Sequence, residues 1–401
     1  MKKGLALSGG GFRATLYALG TLWRMNEDGL LTELDTVTSV SGGSIAAGLL
    51  MLKWNELCFE DIDMTKGRHR AINFKEVIVD PLLAFCSHKI TSKSRIVLHT
   101  INPLTTAAEE VRKKYEKLLF GSICLSDIPD HPLAPEFIFY GTNLDTGASV
   151  RISKQEIRDY NIGSASNHGI TLSQAISISS GFPPFLAPIQ LCGKDWTWSD
   201  TLYSRIPDDE ISELRKHLYL CDGGLYDNMG LEMIWKHGID KEYSSVFCCD
   251  AGAALPIPWN SWLKQIKNKF GLSMRMTDIM INQQRALRKR MLMRNYIEGE
   301  YDGGYWSLTS QVKDFKSVAP LLSESEAKQY SHLSKLGTQL EPFSDVDSLM
   351  LVNLGFCHAD MCMRLNYDET INRPSLPFNM HTDKYSKKTS VTTSAKSSMS
   401  I

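Results

Sequence analysis

The chain has 401 residues, 43% of them hydrophobic and 22% charged, with 44 Lys and Arg against 45 Asp and Glu for a formal net charge of −1. That length admits one large α/β domain with insertions, or two domains, and the balanced charge excludes a chain-wide drive toward nucleic acid, so no nucleic-acid partner is expected. The nine cysteines are scattered without a CxxC pair or a metal or disulfide spacing, which fits free thiols in a reducing cytoplasm; neither metal nor cofactor is expected.

In chain order, Lys3 to Ser8 predicts a short buried strand and Phe12 to Asp28 a helix, with Leu16, Leu19, Leu22, Trp23 and Met25 at helical spacing and Gly29 as its stop. Met1-Lys2-Lys3 and the apolar residues after it do not make a signal peptide, because Ser8-Gly9-Gly10-Gly11 ends the run too early. Thr36 to Val40 predicts a second strand and Ser44 to Leu52 an apolar helix. Strand–turn–helix thus occurs twice in succession, the pattern of a parallel sheet with helices on its faces. Ile45 to Leu52 falls well short of the ~18 residues of a spanning helix. No transmembrane helix is expected, and the expected location is the cytoplasm, with any membrane met from outside the bilayer.

Residues 54–133 read as a cap or insertion with a helix near Thr106 to Leu119. Phe137 to Thr142 reads as a further core strand, Leu172 to Ser179 as a small-residue helix, and His217 to Cys221 and Ser244 to Cys249 as strands ending at Asp222 and Asp250. Residues 256–382 read as a mainly helical extension. Its segment 261–294 is basic, with Lys264, Lys267, Lys269, Arg275, Arg285, Arg288, Lys289, Arg290 and Arg294 against Asp278 alone. Such a stretch offers peripheral contact with an anionic membrane surface, or simply a solvated helix face. From 383 to 401 the chain is Ser, Thr and Lys with few large apolar residues, the composition of a disordered tail.

Three motifs carry chemistry. Gly9-Gly10-Gly11 follows a strand and opens a helix, so its amides could converge on an oxyanion, with Arg13 in the first turn as support. Ser39-Val40-Ser41-Gly42-Gly43 sets Ser41 between a strand and a helix with small flanks, as in a nucleophile elbow; Ser39 stands where glycine is usual, and Ser39 and Ser44 are competing nucleophiles. Asp222-Gly223-Gly224 closes an apolar strand, so Asp222 should reach the same carboxyl edge of the sheet as Ser41 and serve as base. A dinucleotide site built on Gly9-x-Gly11-x-x-Ala14 would need its acidic residue at the end of the second strand, whereas Asp35 precedes that strand. A Ser-His-Asp triad would draw on His237, His332 or His358, none of which stands in a recognisable loop context.

In these residues the chain resembles the patatin-like phospholipase family. Gly9 to Arg13 is similar to the family's oxyanion loop, Ser39 to Gly43 to its elbow, and Asp222-Gly223-Gly224 to its Asp-Gly motif. Thr142-Asn143-Leu144 and Ser179 to Pro184 are softer matches. The resemblance covers roughly residues 3–255. It implies a three-layer α/β/α fold around a mostly parallel sheet, and the chain is expected to form one domain over 1–382. It also implies metal-independent hydrolysis of fatty-acyl esters of lipids by a Ser41–Asp222 dyad, through an acyl-enzyme, with an oxyanion hole at Gly9, Gly10 and Gly11. A phospholipid or other acyl ester is then the expected substrate. The alternatives are an inactive lipid-binding or scaffold protein of the same fold and the Ser-His-Asp esterase.

Overall fold

The strand ends that matter most lie in the first forty residues, and the rest of the chain is arranged around them. A computed structural model describes residues 1–91, 107–201, 204–235, 242–252, 255, 269–315 and 317–380, with backbone only at 269 and 270. His237, Lys264, Lys267 and the 383–401 tail therefore lie outside the described residues, as does the Lys269 side chain.

The first half of the chain forms β1 (Lys2–Leu7), α1 (Gly11–Glu27), β2 (Thr36–Ser39), α2 (Gly42–Lys53), β3 (Phe59–Asp63), β4 (Arg68–Ala71), α3 (Asp80–Cys86) and α4 (Ala107–Tyr115). Then follow β5 (Glu136–Asn143), β6 (Ser149–Ile152), β7 (Ile157–Asp159), β8 (Gly163–Ser166), α5 (Leu172–Ser179), β9 (Ile189–Cys192), β10 (Thr197–Ser199), α6 (Asp208–Leu214), β11 (His217–Asp222), β12 (Tyr243–Asp250), α7 (Lys269–Ile297), β13 (Asp302–Ser307) and α8 (Asp345–Asn366). Short helical turns at Gly224–Asp227 and Glu324–Gln329 complete the set used below.

Five strands, in the order β5-β2-β1-β12-β13, pair in parallel and form the centre of the sheet. Beyond β5 the chain turns back on itself as the antiparallel run β6-β7-β8-β10, and β11 joins β9 to the far part of β5. The central strands are apolar on both faces, as burial between two helical layers requires. Leu5, Leu7, Phe247 and Cys249 pack into a large core with α1, α2 and α8, while Ala6, Val246 and Cys248 pack on the other face against Leu231, Ile234 and Leu292 of α7. The result is the expected three-layer α/β/α architecture, parallel at its centre and mixed toward one edge.

The C-terminal extension supplies more than helices. β13 extends the parallel sheet beyond β12, an element that no sequence feature announced. α8 packs lengthwise on α1 and is buried from Met350 to Met363, so α1 has protein on nearly every side. That is why the apolar stripe of α1 is interrupted by fully buried Arg13 and Arg24, each of which finds partners inside the fold. All nine cysteines are free, six of them buried. Among the described residues no helix is long and apolar enough to cross a membrane.

Candidate active site

Ser41 sits between the end of β2 and the start of α2 with φ 52° and ψ −118°, a region that a non-glycine residue adopts only under constraint. The constraint is visible in its neighbours. Val40 N–H donates to Leu7 C=O at 3.0 Å, Gly43 N–H to Val40 C=O at 2.9 Å, and Ser44 N–H to Ser41 C=O at 3.0 Å. Ser41's own amide donates to Ser179 Oγ at 3.0 Å, at the end of α5. The tight turn lifts the Ser41 side chain out of the strand, where it is partly exposed.

The serine at position 39 is accommodated by hydrogen bonding. Ser39 and Ser44 are fully buried and joined Oγ to Oγ at 3.0 Å; Ser39 Oγ lies 3.3 Å from Ile138 C=O, and Ser44 Oγ lies 2.8 Å from Ser179 Oγ. This chain of hydroxyls fills the space that a glycine would leave open, ties the elbow to α5, and keeps both rival serines away from solvent.

Asp222 reaches Ser41 by a route different from the expected one. β11 runs antiparallel to β5, so Asp222 does not lie at the carboxyl edge of a parallel strand. The register explains the meeting. Ser39 pairs with Phe139 and Asp222 with Gly141, two residues further along β5; Ser41 is likewise two residues beyond Ser39. The two side chains therefore stand at the same height above β2. Asp222 is 2% exposed, and burial lifts its carboxyl to about 7, opposed by the Gly224 amide at 2.7 Å and by the neighbouring Ser41 hydroxyl. Its amide donates to Gly181 C=O at 3.0 Å and its carbonyl accepts from Thr142 Oγ1 at 2.9 Å, which fixes the turn. A carboxyl poised near neutrality beside a hydroxyl can accept that hydroxyl's proton.

The glycine loop lies against the elbow. A Cβ on Gly9 would stand 3.2 Å from Ser41 Cβ and 2.4 Å from Asn228 Oδ1. Gly9 donates its amide to Asn228 C=O at 3.0 Å, which leaves Gly10 and Gly11 as the loop amides with no acceptor among the described residues. Gly11 has φ 57°, and a Cβ there would fall 2.0 Å from Thr338 C=O, so only glycine fits. The same strap of chain accepts the Phe12 amide at Gln339 C=O, 3.3 Å away. Arg13 binds this strap through Nη1 to Leu336 C=O at 2.7 Å and the end of β12 through Nη2 to Ala251 C=O at 2.8 Å. Burial holds its guanidinium down to about 10, still charged at neutral pH. Arg13 is thus a brace for the loop.

The remaining candidates lie elsewhere. Asp35 is at the start of β2, where its carboxylate accepts the Lys3 amide at 2.7 Å, at the opposite end of the strand from Ser41. His358 is buried between α8 and α1, with Nδ1 2.8 Å from Tyr17 Oη and its ring stacked on Phe315; burial pushes it down to about 4. His332 is at the surface, 2.7 Å from Asp347. Three residues around Ser41 and Asp222 had no role assigned from sequence: Ser179 and Gly181, seen only as part of a softer match, and Asn228, which carries no sequence signal because its contact with Gly9 is made across the fold.

The family model for patatin-like phospholipases matches residues 5–235, from β1 to the residues just beyond the Asp222 turn. No curated protein sequence matches the chain. Among solved structures, human GIVD cytosolic phospholipase A2 is similar with a TM-score of 0.56 at 15% identity, over 90% of this chain and 59% of its own. The same human enzyme in complex with methyl gamma-linolenyl fluorophosphonate gives 0.52 at 14% identity, over 90% and 57%. VipD from Legionella pneumophila gives 0.37 at 14% identity, over 91% and 67%. The chain spans less than two thirds of the human chains it matches, and at these identities the likeness is one of fold. With a family model covering more than half of its length, the chain belongs to the patatin-like phospholipase family.

Proposed function

We infer that the protein is a serine acyl hydrolase that cleaves fatty-acyl esters of lipids with Ser41 as nucleophile and Asp222 as base. The observation that carries this is the strained elbow at Ser41, which sets its hydroxyl beside a buried carboxyl lifted to about 7. In the first step Asp222 takes the Ser41 proton as Oγ attacks the ester carbonyl carbon. The oxyanion faces the Gly10 and Gly11 amides, aided by the start of α1. Collapse expels the alcohol, which takes the proton back from Asp222. Water, deprotonated by Asp222, then attacks the acyl-enzyme, and the carboxylic acid leaves as Ser41 regains its proton. The same carboxyl serves both steps, and family membership supports a lipid ester as substrate. A peripheral location at a membrane surface belongs to the same reading.

The test is hydrolysis of a water-soluble acyl ester and of a mixed phospholipid pool, with products identified by mass spectrometry. Ser41→Ala and Asp222→Asn should each reduce turnover by at least about a thousandfold. Full retention in either variant overturns the dyad, and a comparable loss in His358→Ala alone would restore the triad.

A further inference from the structure

Helix α7 turns Arg285 and Arg288 inward and a row of apolar side chains outward. On the protein side, Arg285 Nε is 2.6 Å from Asp250 Oδ2; Arg288 lies 3.0 Å from Glu232 and 3.2 Å from Asp227; and Leu292 is buried. Two of the residues that made the segment read as a basic, lipid-facing stretch are thus spent on ion pairs within the fold. On the solvent side, Leu272, Met276, Ile279, Met280, Leu287 and Met291 are each between 41% and 62% exposed. At about 100° per residue these six share an arc of about 120°, facing away from Arg285 and Arg288.

Such a row of large exposed apolar side chains marks an interaction surface. Its charge says what kind. No Asp or Glu of the helix lies within the arc, while Arg290 and Arg294 do. Arg294 pairs with Glu298 just past the helix end, at 2.7 Å; Arg290 faces no carboxylate among the described residues. A second copy of this face would bring arginines into an apolar contact with no acid to meet them. An anionic lipid surface supplies both the apolar phase and the counter-charge. Unbranched Met side chains adapt to irregular acyl packing, and Arg stems can lie along the apolar boundary with their heads among phosphates.

We propose that α7 is an interfacial helix that docks on an anionic phospholipid bilayer through its Leu272 to Met291 face, with Arg290 and Arg294 at head-group level. The choice of a bilayer rests on the lipid-hydrolase reading above. The inner face of the helix grips the site: Arg288 holds Asp227, in the turn that follows Asp222, and Arg285 holds Asp250, next to the Ala251 carbonyl that Arg13 binds. Docking therefore sets these two anchor points about one helix diameter, ~10 Å, from the bilayer surface.

The experiment is co-sedimentation of the full chain carrying Ser41→Ala with vesicles of phosphatidylcholine alone and of equal parts phosphatidylcholine and phosphatidylglycerol. Binding to the mixed vesicles should fall by at least about tenfold on adding Met276→Ser, Met280→Ser and Leu287→Ser together. Arg290→Glu should abolish the preference for anionic vesicles. In the Ser41 background the triple serine variant should hydrolyse a water-soluble ester at the unaltered rate, which also shows that it folds. A second variant, Met280→Trp, should show fluorescence quenching by brominated phosphatidylcholine beyond that of the parent chain. Unchanged vesicle binding in the triple variant, or no added quenching in Met280→Trp, overturns the proposal. So does a shift from dimer to monomer in the triple variant with vesicle binding intact, which would assign the face to a second copy. If instead Ser41→Ala leaves ester hydrolysis untouched while vesicle binding behaves as stated, the enzymatic reading fails and the docking helix stands.

Discussion

Asp222 sits in a buried environment that makes ionisation costly, and the proposed chemistry needs it ionised. With its carboxyl near 7, about half the molecules hold the base form at neutral pH. Activity on a water-soluble ester should therefore rise with pH through about 7 and level off above it, measured as kcat/KM. The same shift has a stability consequence of known sign. The native state holds a proton on Asp222 up to about pH 7, whereas the unfolded chain releases it near 3.8, so unfolding releases a proton across that window. Wild-type stability should fall, as far as Asp222 contributes, as pH rises from about 4 to 7. Asp222→Asn is neutral at every pH and should gain on the order of 1–4 kcal/mol over wild type at pH 8 and almost nothing at pH 4, read from thermal or denaturant unfolding. An activity loss without this pH-dependent gain would mean that the carboxyl is not desolvated. The types and spacing of Ser41, Asp222 and Gly9 to Gly11 were legible in the sequence. The tuning of Asp222 was not, because it comes from the walls around the carboxyl.

At the scale of elements, the glycine loop is held by chain that lies far beyond it in sequence. The strap around residues 334–340 presents Leu336, Thr338 and Gln339 carbonyls to Arg13, Gly11 and Phe12. Arg13 joins that strap to the end of β12, so the loop is clamped from two sides. Arg13→Met should lower kcat by about ten- to a hundredfold with little change in KM for a small ester, since the loop amides would lose their fixed aim. Arg13→Lys should recover only part of this, because an ammonium cannot span both carbonyls as the planar guanidinium does. An equal fall in binding and turnover would instead show general loosening of the fold. The sequence placed Arg13 in the first helical turn correctly, but a basic residue there can face an anion or brace a loop. Only the strap, some 320 residues away, decides between the two.

At the scale of the molecule, α8 completes the domain by covering α1. Their contact contains a buried charge cluster: Arg24 Nε donates to Asp360 Oδ1 at 2.9 Å and Arg364 Nε to the same oxygen at 3.1 Å, with Arg24 and Asp360 fully buried. Asp360→Ala removes the carboxylate that Arg24 and Arg364 share, leaving Arg24 inside with Asp28, at 2.5 Å, for a carboxylate, and should cost about 3–5 kcal/mol, a large share of the ~5–15 kcal/mol that holds such a domain together. The midpoint of thermal unfolding should drop sharply, while the folded fraction keeps its activity, because the pair does not touch Ser41 or Asp222. The alternating strands and helices, the three motifs and the central parallel sheet were legible in the residue order, since each depends on local periodicity or on residues a few positions apart. The antiparallel course of β11, the completion of the fold by β13 and α8, and the inward turn of Arg285 and Arg288 on the basic helix emerge only in the folded chain. Those outcomes depend on pairings between residues tens to hundreds of positions apart, and the order of residues along one segment does not specify which distant partner it will meet.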